Sequence, residues 1–359
     1  MGALARVPGI LTRPGRLRRW LLPWALSLGA LLNLAYPMYV HYDFSHSLDT
    51  RSYLRLAAGR FDSVNVTRRY RVLVPAAAGA LARPVAAIYG KIWPQRPAGE
   101  WPRRFAFFLV NCGLLSAAGA TWWRAARLAG ASAGAAGVAL LAVLSSRWAE
   151  YAAGLPLTDS LYLLVFGLGY YAWRRGPGAG WAVAAALLLG PLAKESFVFL
   201  LPWLAWFGRR ALGWRGQAVA LAGGLLALGA VHYAVDKAAG TPPTEAVSNA
   251  LAHFENLAYS LRRAASPKGL GELLSIFGLF TLPVLAALFW PSGRRVLAPV
   301  LGWAEGALLA VVAVHMLLSG DLGRMGYLFA PVFTVALALV AQAVIGRVRG
   351  LPPPTVIRS

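Results

Sequence analysis

Apolar runs near bilayer-crossing length recur along the whole of this 359-residue chain, at 20–40, 105–123, 131–147, 157–173, 178–191, 195–208, 216–234, 271–290, 298–318 and 327–345. An α-helix needs about 20 predominantly apolar residues to cross the hydrocarbon core. The pattern therefore predicts an all-α polytopic membrane protein with ten spans, several of them short, and leaves no room for a separate soluble domain. Residues 72–92 form a further apolar run, but Arg83 and Pro84 interrupt its middle. This run, and the amphipathic stretch around Leu48, Tyr53, Leu54 and Leu56, read as helices lying in the membrane interface.

Charge placement orients the pattern. If 72–92 stays out, the inner segments are 1–19, 124–130, 174–177, 208–215, 291–297 and the carboxy-terminal tail. They hold 17 of the 35 basic residues and none of the 13 acids, as the positive-inside rule requires. Were 72–92 to cross, the pairs Arg124/Arg127 and Arg174/Arg175 would move outside. The expected chain is one membrane domain, divided into 1–210 with an outer loop at 41–104, 211–345 with an outer loop at 235–270, and a cytoplasmic tail at 346–359. Both termini face the cytoplasm. The amino-terminal basic flank resembles that of a signal peptide, but without a small-residue cleavage site the first run is expected to stay as an uncleaved span.

Composition agrees. Hydrophobic residues make up 58% and charged residues 13%, against roughly 25% charged in soluble domains, and the mean hydropathy is +0.57. A net charge of +22 reads here as topology signal and attraction to anionic lipid headgroups, not as nucleic-acid binding. The single cysteine, Cys112, rules out an intrachain disulfide and a zinc-type cysteine cluster. No phosphate-cradling glycine loop, P-loop or serine nucleophile elbow is present, which argues against nucleotide hydrolysis as the driving reaction.

Four polar constellations interrupt the apolar pattern. "HYDFSHSLDTRSYLRLAAG" follows the first span and carries Asp43 and Asp49, with Tyr53 one helical turn beyond Asp49. A carboxylate here could take a proton from a hydroxyl, hold a cation or cap a helix. "AEYAAGLPLTDSLYLLV" brackets an outer turn with Glu150 and Asp159, where Thr158 or Asp159 could equally serve as a helix cap. In "LLLGPLAKESFVFLLP", Pro191, Lys194 and Glu195 break an apolar stretch into two half-length helices; Lys194 could meet a phosphate or pair with Glu195. "SGDLGRMGYLF" places Arg324 at the outer end of the last hairpin, able to clamp a phosphate. In the second outer loop the spacing of Val247, Leu251, Phe254, Leu257 and Leu261 predicts an amphipathic helix whose Arg262 could also reach a headgroup or phosphate. His232, His315 and Glu305 read as packing residues.

The order of these features resembles the GT-C superfamily of integral membrane glycosyltransferases. "SLDTRSYLRLAAG" is similar to the family's first outer loop with its catalytic Asp, "RYRVLVPAAAGALARPVAAIYG" to that loop's amphipathic helices, and "GLPLTDSLYLLV" to its second acidic site. The resemblance covers about the first 210 residues. It implies transfer of a hexosyl or pentosyl group from a polyprenyl-phosphate donor to a glycan, lipid or protein acceptor, on the extracytoplasmic face of a bacterial inner membrane. Asp49 is the better match for the base, with Asp43 in reserve, and Asp159, Glu150, Tyr53, Lys194, Glu195, Arg324 and Arg262 would bind substrate. No acid pairs directly with Asp49 in sequence, so a divalent cation is left open as a cofactor. The alternative is a transporter or flippase of a lipid-linked or anionic substrate, binding at the broken helix around Lys194.

Overall fold

The computed structural model describes residues 14–43, 47–96, 99–240 and 249–348. The amino-terminal basic residues up to 13, Val247 of the second outer loop and the 349–359 tail lie outside the described residues. Within them the chain is helical, with no strand.

The first apolar run forms α1 (Pro14–Leu34) and α2 (Tyr36–His41), joined at Ala35 just ahead of Pro37. The segment expected to form the first outer loop folds as α3 (Leu48–Ala57), the single turn α4 (Val66–Arg69) and α5 (Leu73–Ile92). Pro84 does not break α5. The long α6 (Trp101–Leu128) follows, then α7 (Ala133–Leu144), α8 (Arg147–Gly154), α9 (Asp159–Arg175) and α10 (Gly180–Ala193). A 3-10 turn at Glu195–Phe199 leads into α11 (Leu201–Gly208) and then α12 (Trp214–Ala239). The remainder is α13 (Asn249–Ala264), α14 (Pro267–Leu274), α15 (Thr281–Phe289), α16 (Pro291–Leu297), α17 (Trp303–Ser319), α18 (Leu322–Gly326) and α19 (Ala330–Val348).

Membrane helices gain little from a hydrophobic effect between themselves, so small residues that allow close backbone approach set their packing. α6 is central, against α1, α5, α9 and α19. Gly119 admits Ser27 of α1, and a Cβ there would stand 2.9 Å from the Ser27 hydroxyl. Gly167 of α9 lies so close to α6 that a Cβ would come within 2.3 Å of Thr121 Oγ1. Gly224 of α12 does the same for α10, where a Cβ would meet the Leu187 carbonyl at 2.5 Å.

Among the described residues five helical segments are long and apolar enough to cross a bilayer: Arg19–His41, Leu73–Ile92, Trp101–Leu128, Trp214–Ala239 and Leu322–Gly346. The number rises to seven if the pairs bent by 82° at 275–277 and by 78° at 301–302 each count as one span. The chain is thus a multi-pass helical membrane protein, but ten spans of full length are not what length and composition give. Four expected spans are too short: α7 stops before the serine pair 145–146, α9 has 17 residues, α10 ends at the Lys194 break, and 195–208 holds only a 3-10 turn and the eight-residue α11. The expected inner loop at 291–297 is helical, as α16. Conversely, 72–92, expected to lie in the interface, meets the test for a span.

The two ends of the bundle differ in kind. At one end Trp20 packs on Tyr171 and Trp181 with Arg124 over its ring, Arg174 pairs with Glu305, and Gln342 bonds Ser132. At the other end lie Asp49, Asp159, Lys194 and Arg324. Short as they are, α9, α10 and α17 each run from one end to the other. Both ends of α5 stay at the second end: Arg71, just before it, bonds Tyr53, and Tyr89 near its close bonds Tyr39 at 2.9 Å.

Candidate functional site

The start of α3 settles which residue caps it. Ser47 occupies the N-cap, and its hydroxyl accepts the Thr50 amide at 3.4 Å. Asp49, in the first turn, is thereby released from capping and points at two guanidinium groups. Arg68 of α4 donates its Nε–H to one carboxylate oxygen. Arg324 of α18 reaches the other at 3.3 Å. Asp43, the alternative base, is exposed beyond the end of α2; the carboxylate between the arginines is Asp49.

Arg324 is shared. Asp321, which caps α18 by accepting the Arg324 amide, also meets its Nε at 2.9 Å. Asp159 lies 3.8 Å from its Nη1. Thr158 holds the N-cap position of α9 without making a side-chain cap bond, and the Asp159 carboxylate turns to the cluster instead.

Lys194 ends α10. Pro191 removes one backbone donor there, the Phe197 ring folds onto Gly190 so closely that a Cβ would collide with it, and Lys194 itself is fully extended at φ −165°. The break delivers its ammonium to the interior, with the residue 8% exposed. Its neighbours are the Met325 sulfur at 3.4 Å and Asp159 at 3.7 Å. Among the described residues no oxygen accepts a hydrogen bond from it, although an ammonium carries three donors. Glu195 turns the other way and forks with Arg71, Nε to Oε2 at 2.9 Å, while Arg71 Nη1 donates to the Tyr53 hydroxyl at 3.0 Å.

Eight charged groups thus meet: four carboxylates (Asp49, Asp159, Glu195, Asp321) and four cations (Arg68, Arg71, Lys194, Arg324). Burial pushes the Asp49 carboxyl up, but Arg324 and Arg68 outweigh it and hold it below the usual carboxylate range. Beneath Lys194 is the Tyr162 ring, whose hydroxyl bonds His315 Nε2 at 2.7 Å. The other ring nitrogen of His315 faces the Val311 carbonyl at 2.8 Å. A carbonyl can only accept, so Nδ1 carries the proton and Tyr162 donates to Nε2. His315 is the packing residue its sequence position suggested.

Of the candidates read from sequence, Asp49, Tyr53, Asp159, Lys194, Glu195 and Arg324 come together. Glu150 does not join them; it sits half-buried in the first turn of α8, where burial pushes its carboxyl up. Arg262 is exposed on α13, apart from the cluster. Three members had not been singled out. Asp321 was hidden in an ordinary-looking turn. Arg68 and Arg71 belong to "RRYR", an arginine run in an outer loop, where the positive-inside bias gives no reason for one, and that was a readable signal. No three of the described His, Cys, Asp and Glu residues group as a metal site.

Comparison with known protein families, with curated proteins and with solved structures finds no match to this chain.

Proposed function

We propose that this protein is a membrane glycosyltransferase of the GT-C type, moving one sugar from a polyprenyl-phosphate donor to an acceptor hydroxyl. The observation that carries this reading is Lys194: a buried ammonium that, among the described residues, hydrogen-bonds no oxygen and has Asp159 only at ion-pair distance, beside two arginines at the cluster end of the bundle. A buried ammonium whose hydrogen bonding is so incomplete is expensive, and the phosphodiester of the donor would supply the missing oxygens. The neighbouring carboxylates supply a proton acceptor.

In the reaction, the acceptor oxygen attacks the anomeric carbon and passes its proton to Asp49. The bond from that carbon to the donor phosphate oxygen breaks, and its electron pair leaves with the polyprenyl phosphate. Lys194, Arg324 and Arg68 stabilise the charge that develops on the departing phosphate. Tyr53 and the Arg71–Glu195 fork hold α3 against the break after α10.

The topology that goes with this chemistry has ten crossings of a bacterial inner membrane, both termini cytoplasmic and the charged cluster facing out. It is supported by the end-to-end course of the short helices α9, α10 and α17 and by α5 keeping both its ends at the cluster end. Cysteines placed at Gln95 or Gly99 should then label from outside without permeabilisation.

The decisive assay incubates purified protein with a panel of polyprenyl-phosphate sugars and acceptors and measures release of the lipid phosphate. A protein that binds these lipids, frees no phosphate and moves them between leaflets would instead be the transporter that a helix broken at Lys194 also suits.

A further inference from the structure

Asp49 as the structure holds it is a poor base. A carboxylate gripped by two guanidinium groups has little affinity for a third proton donor, and general-base efficiency falls as basicity falls. The cluster also has no surplus positive charge to offer: its four cations face four carboxylates. A phosphate arriving here must displace a carboxylate from an arginine.

The geometry selects which one. Asp321 is tied to Arg324 through the α18 cap as well as through its guanidinium. Asp159 is the more enclosed, with its side chain 12% exposed, and stands between Lys194 and Arg324. Asp49 is twice as open, 24% exposed. It is also the carboxylate that occupies both Arg68 and Arg324, the two guanidinium groups able to fork onto a phosphate.

We propose that the donor phosphate and Asp49 compete for Arg68 and Arg324, so that binding of the donor is what releases Asp49 to act as the base. In the empty enzyme the carboxylate stands in for the phosphate and neutralises its site. When the donor phosphate takes the two arginines, Asp49 regains an ordinary carboxylate's basicity, next to the sugar and facing the acceptor. A base that exists only after the donor has bound keeps the site from activating water or acceptor in its absence. This inference rests on the proposed reading of the site as a polyprenyl-phosphate site and adds the order of events within it.

The competition has a signature opposite to that of a direct donor ligand. Removing the charge of Asp49 should strengthen donor-phosphate binding while abolishing turnover. The test titrates a short-chain polyprenyl monophosphate into wild type, Asp49→Asn, Arg68→Gln and the double variant, each as monodisperse protein in detergent, by calorimetry near pH 7. Asp49→Asn is expected to bind about tenfold more tightly than wild type. Arg68→Gln is expected to bind more weakly, and the gain from Asp49→Asn should shrink in the Arg68→Gln background, since one of the contested arginines is gone. Asp49→Ser, which also removes the charge, replaces any Asn variant that does not fold. Unchanged or weaker binding by the charge-removed variants, with wild type binding normally, overturns the competition and leaves the proposed function standing. A wild type that binds no polyprenyl phosphate overturns the functional reading itself.

Discussion

The molecule holds two buried ion-pair sites at opposite ends, and they are built differently. At the Arg174 end the carboxylate and the guanidinium that face each other are both matched. Glu305 faces Arg174 at 3.1 Å and accepts from Tyr170 and Trp173, both at 3.3 Å, while Arg174 donates onward to the Tyr170 hydroxyl and the Pro299 carbonyl. At the Asp49 end one arginine serves three carboxylates, and among the described residues a buried lysine hydrogen-bonds no oxygen. A saturated network rigidifies a core, whereas an unsaturated one carries a cost that further partners would relieve. The same residue types are structural at one end and candidates for chemistry at the other, because of how completely they are matched.

That contrast can be broken by substitution. The largest loss should follow Glu305→Gln, which strands Arg174 without its counter-ion; breaking a buried pair in this way costs about 3 kcal/mol or more. Thermal unfolding in detergent should show it, and polyprenyl-phosphate affinity of the folded fraction should stay at the wild-type value. An affinity that falls with stability would mean that the two ends are not independent.

Asp49→Asn should cost roughly 100-fold or more in turnover at matched folded protein, about 2.7 kcal/mol of transition-state stabilisation. Near wild-type turnover would take Asp49 out of the chemistry. Lys194→Met keeps the length and apolar stem of the side chain and removes only the ammonium. Its expected effect is about 30-fold on donor kcat/KM, some 2 kcal/mol, with folded yield little changed. Loss of folded protein without loss of donor use would assign Lys194 to structure.

Smaller effects sharpen the comparison. Because Asp49 has its carboxyl lowered, its ion pairs add stability that is present above the ordinary carboxylate value, about pH 4, and is lost as pH falls through its own lower value. The stability advantage of wild type over Asp49→Asn, about 1 kcal/mol or less at neutral pH for a partly exposed pair, should therefore shrink progressively as the pH falls below about 4. Asp43→Asn and Arg262→Gln, outside the cluster, should each change turnover less than about twofold. A dead Asp43→Asn enzyme would show that the other carboxylate is the base.

Much of this protein is written locally. Recurring apolar runs and sparse charge make it a multi-pass helical membrane protein, and the helix at Leu48–Ala57 follows from its own periodicity. The broken stretch after α10 announces itself through Pro191, Lys194 and Glu195, and any ionisable residue in apolar surroundings stands out without knowledge of its partner. The sequence alone thus found six residues of the cluster. It could not separate Asp49 from Asp43, because that choice depends on Arg68, 19 residues away, and Arg324, 275 residues away. Nor could it exclude Glu150 and Arg262, which have suitable chemistry but make none of the cluster's ion pairs. The surroundings of α5 were likewise undecidable from its 20 residues, since apolar content permits crossing, and the bonds from Tyr89 to Tyr39 and from Arg71 to Tyr53 join it to distant segments. Periodicity and burial propensity act over one or two helical turns. Charge matching in a low-dielectric interior depends on which distant segments the packing brings within about 4 Å, and that was decided by the tertiary structure.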